Sequence, residues 1–201
     1  MLKTRSVQTG VSLIELSVAV TILAVLMASG LPSFGNWIQS SKIRTTAESI
    51  QNGLQLARAQ AVSRNALVSF HLTDSATAAC ALSAAGANWV VSLDDPSGAC
   101  DAAASDATAP RLIQMRTAAE GSSNVEVDAG SAGVPVTTIT FNGMGRVTPL
   151  PASTITIALT NSAGGACAAT GPMRCLNVTV SSAGQIRMCD PALPTTDARG
   201  C

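Results

Sequence analysis

The first 32 residues constrain this chain more than any other part of it. Gly10 is followed by Val-Ser-Leu-Ile-Glu-Leu and then by an apolar run that extends to Leu31. Glu15 is the one charged residue between Val11 and Leu31. A charge near the middle of a membrane helix costs about 2.5–3.5 kcal/mol, so it usually marks a functional contact. The segment therefore predicts a helix that assembles with a partner, and not a plain anchor.

The apolar run has the length of a membrane span. Its 21 residues would rise about 31 Å as a helix, which matches the hydrocarbon core of a bilayer. Lys3 and Arg5 precede the run, and positive charge at this place keeps a short N-terminus in the cytoplasm. A secretory signal has small residues after its apolar run, whereas Gly10 lies before it. We predict a leader over residues 1–10 and a transmembrane helix over residues 11–32.

The next segment has the pattern of a helix that packs on a core. Apolar residues recur at spacings of three and four, which is one face of an α-helix. We therefore predict an amphipathic helix over residues 33–65. The residues of this stripe are Ile43, Ala47, Ile50, Leu54, Ala57 and Ala61.

Residues 66–201 have the short apolar runs and frequent turn residues of a β domain. Loops are expected at residues 99–109 and 161–171. The chain is thus expected to be α+β, with a long N-terminal helix packed on an antiparallel β-sheet domain. The predicted strands are residues 67–72, 88–93, 112–117, 125–127, 138–141, 154–159, 176–180 and 185–188.

Six cysteines, all after residue 79, indicate disulfides formed in an oxidising compartment. Counting outward from the turn at residues 181–184 places Cys175 opposite Cys189, so we favour that pair. Six cysteines allow 15 pairings, and a set of local bonds remains open. The favoured set is Cys80–Cys100, Cys175–Cys189 and Cys167–Cys201; the local alternative for the last two bonds is Cys167–Cys175 with Cys189–Cys201.

Nothing in the sequence favours an enzyme. His71 and Asp74 resemble a base and its orienting group, but no nucleophile motif accompanies them. Ser131 lacks the spacing of a nucleophile elbow, and no CxxC pair suggests a thiolate metal site. We therefore predict no catalytic residues, no metal and no cofactor.

The residues Gly10 to Leu16 resemble the class III prepilin motif of type IV pilins and type II secretion pseudopilins. The resemblance implies cleavage after Gly10 by a prepilin peptidase and methylation of Val11, although Phe is more usual at that position. It also implies that Glu15 neutralises the N-terminal amine of a neighbouring subunit, and that Pro32 kinks the helix.

Two further stretches resemble the GspH/FimT/FimU group of minor pilins and pseudopilins. Residues 141–146 have its Phe-x-x-x-Gly-Arg pattern, and residues 184–187 occupy the place of its Gly-Arg-x-Arg element, with Gln185 replacing the first arginine. The cysteine-rich C-terminus is more similar to FimT and FimU of type IV pili than to GspH of secretion systems.

The resemblance implies a minor type IV pilin that is incorporated in, or primes, the pilus, at its tip. Its partners would be other pilins, and its location the bacterial inner membrane, with a periplasmic domain, and then the pilus. The alternatives are a type II secretion pseudopilin and a pilus-associated DNA receptor. The last would bind DNA weakly through Arg174, Arg187 and Arg199.

Overall fold

The computed structural model describes residues 11–118, 124–165, 167–168, 170–171 and 173–201, without the side chains of residues 28–34 and 164. The chain divides into two units, Met1–Gly35 and Asn36–Cys201. One helix, α1 (Leu13–Arg64), contributes to both units. The predicted segments 11–32 and 33–65 thus form a single α-helix.

The predicted apolar stripe of α1 is confirmed as its buried face. Each of its six residues, Ile43 to Ala61, is 0% exposed. The helix ends at Arg64, and Asn65 follows with φ of 48°. Asparagine tolerates this left-handed conformation and commonly terminates helices. The sequence spacing therefore identified correctly which face of the helix enters the core.

The described part of the β domain contains two antiparallel sheets where the sequence predicted one sheet domain. The first has the strand order β3-β2-β1-β6, and the second β5-β4-β7-β8-β9. All eight predicted strands are present, and β5 is additional; it has two residues, one of them a proline. The strands are β1 Val68–Thr73, β2 Asn88–Ser92, β3 Leu112–Arg116, β4 Glu126–Ser131, β5 Val134–Pro135, β6 Thr138–Phe141, β7 Ile155–Thr160, β8 Leu176–Val180 and β9 Ile186–Cys189.

The stripe of α1 and both sheets share one hydrophobic core. Phe70 and Trp89 supply its aromatic pair, with ring centroids 5.7 Å apart, and the Trp89 Nε1–H donates to Ser49 Oγ at 3.0 Å. Gly53 lies directly against these two rings. A glycine is needed here because the helix approaches the aromatic pair too closely for a Cβ atom.

A second, smaller cluster of Cys80, Val90, Cys100 and Leu112 is also buried. His71, which pairs with Val90 in the β1–β2 register, is 4% exposed. Its Nδ1 lies 3.0 Å from Thr138 Oγ1, and its Nε2 is buried without a hydrogen-bond partner in the described structure. Burial lowers the pKa of His71 to about 4.

The disulfides correct two of the favoured pairings. Cys80–Cys100 is present as predicted, but the other bonds are the local pairs Cys167–Cys175 and Cys189–Cys201. In the β8–β9 register Cys189 lies opposite Asn177, two residues from Cys175. The turn of this hairpin is longer than the count assumed, because Val180 pairs with Ile186. The favoured pairs Cys175–Cys189 and Cys167–Cys201 are therefore wrong.

Gly53→Ala is expected to lower the free energy of unfolding by about 1–3 kcal/mol, the usual cost of overpacking, although alanine favours a helix by about 1 kcal/mol. The new Cβ would lie 2.7 Å from the Phe70 ring and 3.0 Å from the Trp89 ring. Denaturant unfolding of the full chain measures the change. Gly35→Ala is the matched control because its Cβ would meet nothing within 4 Å. Equal stability of the two variants would contradict the close approach.

Acid is expected to destabilise the fold through His71, the only histidine of the chain. The pKa of His71 is about 6.5 in the unfolded chain and about 4 in the folded chain. Between these two pH values the unfolded chain binds a proton that the folded chain does not bind. Stability is then complete above about pH 6.5 and falls by about 3 kcal/mol as the pH approaches 4. Unfolding free energies measured between about pH 7 and 5 should fall for the natural chain and stay nearly level for His71→Gln, because carboxylates titrate mainly below this range. If the unfolding free energies of the natural chain and of His71→Gln fell equally with pH, His71 would not be the cause of the acid destabilisation.

Candidate functional site

Val11 and the N-terminal part of α1 present an apolar surface. The large apolar residues from Val11 to Met27 are 52–86% exposed. The hydroxyl groups of Ser17 and Thr21 donate hydrogen bonds to backbone carbonyl oxygens of the same helix, at distances of 2.8–3.0 Å. Their polar groups are therefore satisfied without water. An exposed apolar surface of this extent marks a contact with lipid or with other protein.

Glu15 lies in the first turn of α1, where the helix macrodipole favours a negative charge. It is exposed, as is Val11, and can meet a group from another molecule. Gly10, the predicted cleavage site, lies outside the described residues. Pro32 lies within α1, but its side chain is outside them as well, so the predicted kink stays a prediction.

Among the described residues, we find no helix that combines the length and apolar character of a membrane span. The transmembrane assignment of residues 11–32 therefore stays a prediction.

The Phe-x-x-x-Gly-Arg stretch at residues 141–146 forms a tight turn on the core. Phe141 is fully buried, and Asn142 Oδ1 accepts hydrogen bonds from two backbone N–H groups of the turn, at 3.0 and 3.1 Å. Gly145 has φ of 72°, a conformation that favours glycine. Arg58 Nε of α1 donates to the Gly145 carbonyl at 3.1 Å. Arg58 lies off the apolar stripe of α1, and the sequence pattern did not indicate this contact.

The turn of the β8–β9 hairpin packs against that first turn. Gly184 has φ of 79°, and a Cβ at this position would collide with the carbonyl oxygen of Gly145. Val147 N–H donates to the Ser182 carbonyl at 3.2 Å. The two motifs of the β domain are thus two halves of one junction, which we call the turn junction (residues 141–147 and 181–185 with Arg58).

Arg187, one of the three predicted DNA contacts, forms hydrogen bonds within its own domain. Its Nη2 donates to the carbonyl oxygens of Ala198, at 3.2 Å, and Gly200. These two carbonyls belong to the loop that Cys189–Cys201 closes. The guanidinium therefore holds the C-terminal loop against β9.

Arg174 and Arg199 line one cleft of about 420 Å³, and each has an acidic neighbour. Arg174 Nη1 lies 3.4 Å from the Asp190 carboxylate, and Arg199 Nη2 lies 3.1 Å from that of Asp197. The hydrogen bond from Arg199 lowers the pKa of Asp197. The structure thus brings two of the three predicted DNA contacts together, with their charges partly balanced.

The residues that resembled catalytic groups have structural partners. His71 contacts Thr138, while the Asp74 carboxylate accepts from Ala81 N–H at 2.9 Å, which lowers the pKa of Asp74. Ser131 Oγ is hydrogen-bonded to Ser153. In the described part of the chain, no group of three or more histidine, cysteine or acidic residues is placed to hold a metal ion.

Solved structures with a similar fold come from three bacteria. The minor type IV pilin FimU of Pseudomonas aeruginosa is 16% identical, with 77% of this chain and 94% of that chain covered and a TM-score of 0.48. The minor pseudopilin EpsH of the Vibrio cholerae type 2 secretion system is 14% identical, with 76% and 99% covered and a TM-score of 0.46. E. coli GspH is 14% identical, with 80% and 95% covered and a TM-score of 0.45. No curated protein sequence matches the chain.

Two family models match the sequence. The prokaryotic N-terminal methylation motif matches residues 5–31, and the model of type II transport protein GspH matches residues 46–184. The second match covers well over half of the chain and includes the last turns of α1, the turn at residues 141–147 and the β8–β9 turn as far as Gly184. The protein belongs to the GspH family.

Proposed function

We propose that this protein is a minor type IV pilin, incorporated in the pilus or priming its assembly, at the tip. The observation that carries the proposal is the exposed apolar surface of α1 with its single carboxylate, Glu15, in the first turn. Such a surface suits storage in a bilayer and later contact with other helices. The β domain that follows contains three disulfides, and disulfides form and persist in oxidising compartments outside the cytoplasm.

The assembly step follows from charge. Cleavage after Gly10 by a prepilin peptidase leaves a positive amine on Val11, which is then methylated. Glu15 of the same helix supplies a carboxylate that is costly to keep alone in an apolar environment. Pairing with the amine of an adjacent pilin removes that cost, so lateral docking of helices into the filament is favoured over free diffusion in the inner membrane. The protein acts by assembly, with no catalytic role.

The alternative is a minor pseudopilin of a type II secretion system. The description of the matched family, type II transport protein GspH, favours this reading. The disulfide-rich C-terminal half supports the pilus instead, because of its similarity to FimT and FimU. A DNA receptor is the weaker alternative, because Arg187 already donates to two carbonyls of its own loop.

Deletion of the gene in a strain with intact retraction separates the first two readings. We expect a large loss of pili recovered by shearing, with normal export of secreted proteins, and restoration of the pili by the natural gene. Loss of export with normal pili would replace the proposal by the secretion alternative. Normal pili and export with loss of DNA uptake would favour the DNA receptor.

Glu15→Ala is expected to insert into the membrane and to be processed, because it removes a charge that costs about 2.5–3.5 kcal/mol in a membrane helix. Its incorporation into sheared filaments should fall by about tenfold or more, the equivalent of about 1.4 kcal/mol. Immunoblots of sheared and membrane fractions measure this ratio.

Two variants bracket the role of the charge. Glu15→Gln keeps the length of the side chain without its charge and should fail like Glu15→Ala. Ser17→Ala removes a hydroxyl that bonds only to its own helix and should assemble normally. Normal incorporation of Glu15→Ala would refute the pairing of Glu15 with a neighbouring amine.

A further inference from the structure

The two loops that flank β2 cover the outer face of the first sheet. Residues 74–87 connect β1 to β2, and residues 93–111 connect β2 to β3. Cys80 of the first loop and Cys100 of the second form a disulfide, and both are buried in one cluster with Val90 of β2. We call the two joined loops the cap (residues 74–87 and 93–111).

The cap is packed separately from the main core. Side chains of a strand alternate between its two faces. Trp89 and Val91 of β2 belong to the main core, whereas Val90 between them belongs to the small cluster under the cap. Because this cluster buries little apolar surface, the cap is expected to open at a lower free-energy cost than the sheets.

His71 lies on the face of the sheet that the cap covers. It is opposite Val90 in the β1–β2 register, so the two side chains share that face, and it is 4% exposed. Its Nδ1 lies 3.0 Å from Thr138 Oγ1, while its Nε2 is buried without a hydrogen-bond partner in the described structure. A protonated imidazole has a hydrogen on both nitrogens. The closed cap therefore accommodates the neutral ring and leaves the Nε2–H of the charged ring without an acceptor.

The charges around His71 do not compensate for its burial. The strands beside β1 place the uncharged Val90 and Thr138 opposite it. Asp95 of the cap favours the protonated ring, but burial has the larger effect and lowers the pKa of His71 to about 4. The Asp95 carboxylate already accepts from the hydroxyl and the backbone N–H of Ser97, at 2.7 and 2.9 Å.

The acids of the cap that have hydrogen-bond partners keep their charge when the pH falls from about 7 to 5, because the ordinary pKa of aspartate is about 3.9. Hydrogen bonds lower the pKa of three of them further: from Ser97 to Asp95, from Arg111 to Asp94, and from Ala81 N–H to Asp74. The other charged residues of the cap are Arg111, which pairs with Asp94, Asp106, which pairs with Arg64, and the exposed Asp101. His71 is thus the group whose charge changes in this range.

We propose that the cap is an acid-operated cover, which separates from the outer face of the first sheet when His71 takes up a proton, while the rest of the domain stays folded. Opening brings the ring into water, where both nitrogens donate hydrogen bonds, and it uncovers the apolar side chains of Val90 and Leu112. Loss of the proton closes the cap again. The cap and His71 lie wholly in the unit Asn36–Cys201, so the switch is independent of the proposed function.

The test is hydrogen exchange, measured by mass spectrometry on the full-length protein in detergent micelles at about pH 7 and pH 5, the range in which His71 changes its charge. Dividing the intrinsic exchange rate at each pH by the observed rate gives protection factors that can be compared. The reporters in the cap are the N–H groups of Gly98, which donates to the Cys80 carbonyl at 3.0 Å, and Ser105, which donates to that of Leu112 at 3.0 Å. Strands β7 and β8 of the second sheet are the internal reference.

We expect the cap to be less protected than β7 and β8 at both pH values, and its protection to fall about 20-fold from pH 7 to pH 5. The factor follows from a pKa of His71 of about 6.5 in the open cap and about 4 in the closed cap. His71→Gln should remain less protected in the cap but lose the pH dependence. Equal protection of the cap and of β7 and β8 at each pH would overturn the proposal, because the cap would then open only with the whole domain. A cap whose protection is the same at both pH values would overturn it too.

A second measurement needs no variant. His71 is the only histidine of the chain, so its ring signals in an NMR spectrum of the natural protein are unambiguous. We expect them to keep the shifts of the neutral ring at pH 5 in the closed form. Titration of the ring near pH 6.5, the ordinary value, with unchanged protection of the cap would show that the closed cap accepts the charge, and would overturn the proposal.

Discussion

The apolar stripe of α1 holds the β domain together, because its six residues are fully buried in the core that both sheets share. Ile43, Ile50 and Leu54 each contribute about 1.5–3 kcal/mol by leaving water. The alanines of the same face join the common core, and Gly53 lets the helix approach the Phe70–Trp89 pair of the first sheet closely. Among the described residues α1 is the one α-helix, and the second helix is a single 3-10 turn at Ser162–Gly164. Without this helix, the two sheets would lose the surface that joins them in one core.

The family motifs of the β domain serve this architecture. Residues 141–146 and Gly184 do not form a chemical site; they interlock two turns, and Arg58 ties both to the helix. The hairpin that contains Arg187 is held at its other end by the Cys189–Cys201 loop. The motifs therefore explain how the hairpin is positioned. The proposed function depends instead on the exposed apolar surface of α1.

Those surfaces divide along α1. Up to Met27 the helix is apolar and exposed, with one acid in its first turn; from Ile43 onward it is amphipathic and packed. The same α-helix therefore has an N-terminal part with an exposed apolar surface and a C-terminal part whose apolar face is buried in the core. This division fits the proposed function, in which the protein is stored in a membrane and then enters a filament.

The pattern of residues along the chain was enough to predict the α+β class, the buried face of α1 and eight of the strands. Each of these depends on local periodicity, which is visible along the chain. Glu15 was also evident, because a lone acid in an apolar run is conspicuous. The division into two sheets, the partners of Cys175 and Cys189 and the role of Arg58 depended on contacts between residues far apart in sequence. In the last hairpin Cys189 lies opposite Asn177 and not Cys175. The strand pattern leaves this register open, because it depends on the turn, and Gly184 of that turn packs on Gly145 from a distant part of the chain.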